Sequence, residues 1–144
     1  MSAARYVSTR GRAPELGFTD VLLAGLATDG GLYVPEHWPT LPAHRPGDTY
    51  AQRAAQIVQL FVGDELAPAT VQRLCDEAYA TFTHPAVVPL VQIDAGHFVQ
   101  ELFHGPTLAF KDLALQLVGR MFDEVLRARG QRITIVGATS GDTG

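Results

Sequence analysis

The chain has 144 residues, 47% hydrophobic and 18% charged, which suits a globular protein of about one domain with a buried core. The formal net charge of −4 and the scattered basic residues exclude the concentrated positive face of a nucleic-acid or anionic-membrane binder, and no apolar run is long enough to span a bilayer. A single cysteine, Cys75, excludes a disulfide framework; with Val71, Leu74 and Ala78 it reads as a helix face in a reducing compartment. The polar, arginine-bearing first 14 residues and the short apolar run at 21–27 do not make a secretion signal, so the cytoplasm is the expected location; no metal site is expected.

In chain order, Thr19 or Asp20 is placed to cap a helix through Leu22, Leu23 and Leu26 that stops at Asp29, Gly30 and Gly31. An extended piece at 32–34 meets Pro35, and the proline-rich stretch to Pro46 reads as irregular connection. Asp48 or Thr49 opens a second helix through Ala54, Ile57, Val58 and Phe61, and a third is expected from about residue 69 to 81. Beyond Pro85 and Pro89 the pattern becomes strand-like: 87–93, a turn at 94–96, and 98–103, which together predict a hairpin. A strand ending near Phe103, the loop HGPTLAF, a long helix to about Ala128, a stop at Gly130 and a strand at 133–136 then read as strand, helix, strand.

If those two strands pair in parallel, the lysine loop and the loop SGDTG at 140–144 follow strand ends that face one crevice, where open α/β sheets bind ligands. The expected class is therefore α/β: a mainly helical region over 1–85, then the incomplete beginning of an α/β domain over 86–144. One crossover and a hairpin give too few strands for a covered parallel sheet, and the chain stops on a turn of the sort that opens a helix, so a fragment is expected.

Lys111 is the only lysine; every other residue among the eleven Lys and Arg is arginine, which cannot form a Schiff base. On a helical wheel from Phe110, residues Asp112, Gln116, Arg120, Asp123 and Arg127 share a polar face. Lys111 falls in the opposite arc, flanked by Leu115, Val118 and Phe122. Apolar neighbours and the positive end of a helix both favour the uncharged, nucleophilic amine, which suits covalent chemistry with a carbonyl. The plain alternative is a first-turn lysine that reaches out to solvent or pairs with a carboxylate.

VGATSGDTG follows an apolar strand and is dense in small residues, so its backbone N–H groups can converge on an anion. Asp142 would repel a phosphate there, which favours a substrate carboxylate; the alternative is an ordinary turn with Ser140 or Asp142 as helix cap. The loop matches neither a Walker A loop nor the dinucleotide fingerprint. His104 in the lysine loop reads either as a general base or as a residue that orders backbone, and Arg10 either as an anion contact or as a structural arginine.

The string ELFHGPTLAFKDLALQ (101–116) closely resembles the pyridoxal-lysine segment of bacterial and fungal threonine synthases, and TSGDTG (139–144) resembles their second active-site loop. YVSTRG (6–11) and DGGLYVP (29–35) match upstream in family order, so the resemblance spans nearly the whole chain. It implies a fold-type II enzyme, related to the tryptophan synthase β-subunit, that converts O-phospho-L-homoserine and water to L-threonine and phosphate. By the same resemblance Lys111 carries pyridoxal 5′-phosphate as a Schiff base and shuttles protons. The resemblance further implies that Ser140, Gly141 and Thr143 grip the substrate carboxylate, that Asp142 lies near the cofactor's 3′-oxygen, and that Phe110 packs on the ring, although the phase of Phe110 equally fits plain core. The phosphate loop and the partner of the pyridine nitrogen lie further along than this chain extends, so the chain alone is expected to be inactive. The alternatives are a dehydratase or β-replacement enzyme of the same fold, or a non-catalytic relative acting as an interaction module.

Overall fold

A computed structural model describes residues 4–43, 45–138 and 141. Its elements run β1 (Arg5–Ser8), β2 (Leu16–Gly17), α1 (Phe18–Ala24), β3 (Tyr33–Pro35), α2 (Tyr50–Val62), α3 (Pro68–Tyr79), β4 (Leu90–Gln92), β5 (Phe98–Gln100) and α4 (Asp112–Arg129). They divide into two compact units: one of the residues up to Asp48 with Gln52–Arg73, the other of Thr49–Ala51 with the residues from Leu74 onward.

The first unit holds a three-stranded antiparallel sheet in the order β2-β1-β3. The expected mainly helical region thus contains a sheet, of which the residue pattern announced only the extended piece at 32–34 that overlaps β3. Strands of two to four residues are too short to display a period of two, and pairing across distant segments is what creates them. Pro35, which lacks an N–H, sits on an edge strand. Buried Tyr6 on β1 donates its hydroxyl to the carbonyl of Phe61 on α2 at 2.7 Å, and Val62 and Val71 are fully buried.

Polar groups from afar close this unit. The expected caps of α1 were Thr19 or Asp20, but Gly17 occupies the N-cap, without a side chain to serve it. The Glu65 carboxylate accepts from Phe18 N–H (2.6 Å), Thr19 N–H (3.0 Å) and the Thr19 hydroxyl (2.6 Å) instead, satisfying donors that the helix leaves open. A Cβ on Gly17 would run into that carboxylate.

The second unit buries Leu74, Cys75 and Ala78 of α3, Val87, and Leu117, Met121 and Val125 of α4. Tyr79 donates its hydroxyl to the Leu113 carbonyl at 3.3 Å. The hairpin forms as β4 against β5 with Val91 opposite Val99, and Asp94 fixes its turn by accepting from the N–H groups of Gly96 and His97. Helix α4 ends where expected, with Gly130 in the left-handed conformation at φ 61°.

The expected strand at 133–136 is not formed: the segment joins no ladder among the described residues, and Ile133, Ile135 and Val136 are exposed. Every strand pair that is present is antiparallel, so the parallel crossover is absent from the described residues. The apolar pattern is there, but a strand exists only through a partner ladder. No helix of the described residues is long and apolar enough to cross a membrane.

Candidate active site

Residues 104–111 form a loop that enters α4. The Leu108 N–H donates to the Gly105 carbonyl, Asp112 N–H to Ala109, and Leu113 N–H to Phe110, three-residue turns that lead into the helix. Lys111 stands at the N-cap position with φ −63° and ψ −23°, already helical, and its carbonyl accepts from Ala114 and Leu115. The lysine is half-buried, and its Nζ lies 6.0 Å from the centre of the Phe110 ring. Phe110 itself is 60% exposed, which removes the plain-core reading of that residue within this chain.

Asp112 departs from the wheel. Placed by periodicity on the polar face, it is only 3% exposed, and its carboxylate turns back into the loop to accept from the N–H (2.8 Å) and the hydroxyl (2.9 Å) of Thr107. First-turn side chains answer to local loop geometry as much as to the helical face rule, and a threonine five residues before an aspartate was the only signal available.

His104 is engaged structurally. Its Nε2 lies 2.7 Å from a Glu101 carboxylate oxygen, and its carbonyl accepts from the Thr83 N–H at 2.9 Å. In the first unit, Arg10 donates from Nη1 to the Asp29 carbonyl at 3.0 Å. The Asp29 carboxylate accepts from the Ser8 hydroxyl and from the N–H groups of Gly31, Arg12 and Ala13, so the YVSTRG and DGGLYVP blocks meet at one side chain. Those bonds, the Ser8 hydroxyl foremost, hold the carboxyl at about 2, below its ordinary value. Gly141 has φ 118°, a conformation that favours glycine. Ser140, Asp142 and Thr143 lie outside the described residues.

A cavity of about 720 Å³ opens along α4 past the lysine, lined by Glu77, Leu115, Arg120, Phe122, Leu126 and Ile133 among others. It follows the stripe of α4 that continues from Lys111 through Leu115, not the loop where the amine is held.

Against known proteins, the family model described as threonine synthase N terminus matches residues 5–79, just over half of the chain. The chain belongs to the threonine synthase family. A threonine synthase of Pseudomonas aeruginosa is 54% identical over 144 residues, covering 97% of this chain and 31% of that protein. Among solved structures, a PLP-bound threonine synthase from Brucella melitensis superposes with a TM-score of 0.93 at 57% identity, over 98% of this chain and 31% of that one. The yeast threonine synthase gives 0.75 at 37% identity over 87% of this chain and 27% of that one. The chain thus spans about a third of the length of the relatives it matches.

Proposed function

We propose that the chain forms the amino-terminal part of a cytoplasmic threonine synthase, which converts O-phospho-L-homoserine and water to L-threonine and phosphate with pyridoxal 5′-phosphate held at Lys111. The observation that carries this reading is the only lysine of the sequence standing half-buried at the first turn of α4, on a loop pinned by Asp112 and beside the exposed Phe110 ring. The residues present fit the attachment end of the cofactor: one amine for the aldehyde carbon, and one aromatic face for the ring.

Bound there, the cofactor would supply an electron sink for charge developing at the substrate carbons. Lys111 would hold the cofactor through its aldehyde carbon, and its amine would carry protons between the substrate carbons. Ser140, Gly141 and Thr143 would hold the substrate carboxylate through hydroxyl and N–H groups, and Asp142 would serve the cofactor's 3′-oxygen. Residues 86–144 begin the fold-type II domain, whose remaining pocket residues are supplied by the rest of a protein about three times as long, in proportion to its relatives.

The test is phosphate release by the full-length protein, with Lys111→Ala alongside. Turnover on O-phospho-L-homoserine is expected to fall by ~10³-fold or more in the variant, with loss of the Schiff-base absorbance band. Borohydride reduction should fix the cofactor to the peptide containing Lys111. An active Lys111→Ala enzyme, or a wild-type protein that deaminates L-serine or L-threonine and ignores O-phospho-L-homoserine, refutes the assignment. The 144-residue chain alone is expected to release no phosphate.

A further inference from the structure

We propose that Asp112 is the positioning residue of this site: by closing on Thr107 it fixes the backbone from which Lys111 projects. The inference rests on the reading of Lys111 as the cofactor-bearing residue. A carboxylate withdrawn from water must find donors, and both oxygens of Asp112 find them on one residue, the N–H and the hydroxyl of Thr107. The two bonds close a ring over residues 107–112 that contains Lys111. Within it Leu108 has φ 60°, a conformation that residues with side chains seldom adopt unless their surroundings impose it.

Gly105 completes the arrangement, since a Cβ there would be driven into the Asp112 carboxylate. No side chain caps α4 at the Lys111 position, so Asp112 does from inside the first turn what a capping residue does from outside, with its charge at the favourable helix end. Folding of α4 does not depend on it in the same way. The apolar residues that anchor the helix, Leu117, Met121 and Val125, lie further along it, beyond the first turn. The latch therefore serves the direction of the lysine rather than the existence of the helix.

The experiment compares Asp112→Ala, Asp112→Asn and Thr107→Val in the full-length protein. In Asp112→Ala, kcat for phosphate release should fall on the order of 10²-fold while KM moves less than about threefold, because misplaced reacting groups cost rate before they cost binding. The amides of Thr107 and Leu108 should exchange with solvent at least ~10-fold faster, measured without cofactor. Asparagine can still accept the Thr107 N–H and donate to its hydroxyl, so Asp112→Asn should recover kcat to within about fivefold. Thr107→Val keeps the backbone bond and loses the other; it guards against misfolding of the alanine variant and should lower kcat about fivefold with an unchanged unfolding midpoint.

Unchanged loop exchange in Asp112→Ala overturns the proposal; should that variant not fold, an unchanged kcat in Thr107→Val does. So does an asparagine variant as impaired as alanine with its loop still protected, because the charge itself would then act in the chemistry. Should the wild-type protein release no phosphate, the functional reading fails, and the exchange comparison still judges the latch by itself.

Discussion

Asp29 in the first unit and Asp112 in the second both use a carboxylate to hold a loop, but over different spans. Asp29 gathers donors from 2 to 21 residues away and ties the turn before β3 to β1, whereas Asp112 reaches back five residues and shapes only the loop that carries Lys111. The first carboxylate helps to make a fold; the second makes a local geometry. Glu65 repeats the first pattern, bridging 46 and 47 residues to start α1. In the second unit the Glu77 carboxylate makes a looser, surface-facing long-range pair with Arg120 at 4.0 Å, and the unit's cohesion comes from apolar faces of α3 and α4. Long-range polar locks hold the unit without the proposed chemistry, and an apolar helix face carries the short loop where the chemistry is proposed.

The largest effects should come from that helix face. Met121→Ala and Leu117→Ala are each expected to destabilise the chain by about 2–4 kcal/mol in urea titrations, since both side chains are nearly fully buried. Leu115→Ala, on the neighbouring stripe at 45% exposure, should cost less than about 0.5 kcal/mol. Equal losses at Leu115 and Met121 would mean that α4 buries a different face, and the contrast between the units would dissolve.

Next comes the polar lock of α1. Glu65→Ala should cost about 1–2 kcal/mol, as the loss of a helix cap does, and Glu65→Gln less, because the amide oxygen still accepts one N–H. Trp38, the only tryptophan, sits 6.4 Å from the Phe61 ring within the same unit and reports the change by fluorescence. A Glu65→Ala protein as stable as wild type would show that the long-range carboxylates accompany the fold without holding it.

These contrasts also explain what the residue pattern disclosed. Helices α2, α3 and α4 were legible because apolar residues recur at helical spacing over three or more turns, and the Gly130 stop because left-handed backbone favours glycine. The hairpin was legible from its turn at Asp94 to Gly96, although its ladder is shorter than the apolar runs. Of the sheet β2-β1-β3 only the extended piece at 32–34 was legible, and the Glu65 cap and the Asp29 junction were not, since each joins segments far apart in sequence and no local period marks them. Lys111 stood out by its uniqueness. Asp112 was assigned to the wrong face because the wheel assumes that a first-turn side chain points radially, whereas a buried carboxylate follows its donors.

The Asp29 junction offers a smaller effect with a defined pH window. Its carboxyl is held at about 2 by the Ser8 hydroxyl and the surrounding N–H groups, below the ordinary value near ~4. A carboxylate with a lowered folded-state value stabilises fully above pH ~4, and that contribution is lost as pH falls toward 2. Asp29→Asn does not titrate, so the difference in unfolding midpoint between wild type and variant should be constant above about pH 5 and shrink between pH 4 and 2. A difference independent of pH would mean that the charge of Asp29 plays no part in joining β1 to the turn before β3.

The smallest expected effect separates the two nucleophiles of the second unit. Cys75 is fully buried on α3, and burial, followed by the negative charge of Asp76, pushes its thiol up to about 11, so the thiolate is scarce at neutral pH and out of reach. Lys111 is half-buried, on a loop, where a carbonyl can approach. Native protein should therefore leave Cys75 unmodified by a thiol reagent over a period in which urea-unfolded protein reacts completely, and Cys75→Ala should change turnover of the full-length enzyme less than about twofold. Rapid labelling of the native thiol would open the second half of α3 to solvent, remove the apolar support that α3 and α4 give their unit, and leave the short Asp112 latch without a rigid helix to act from.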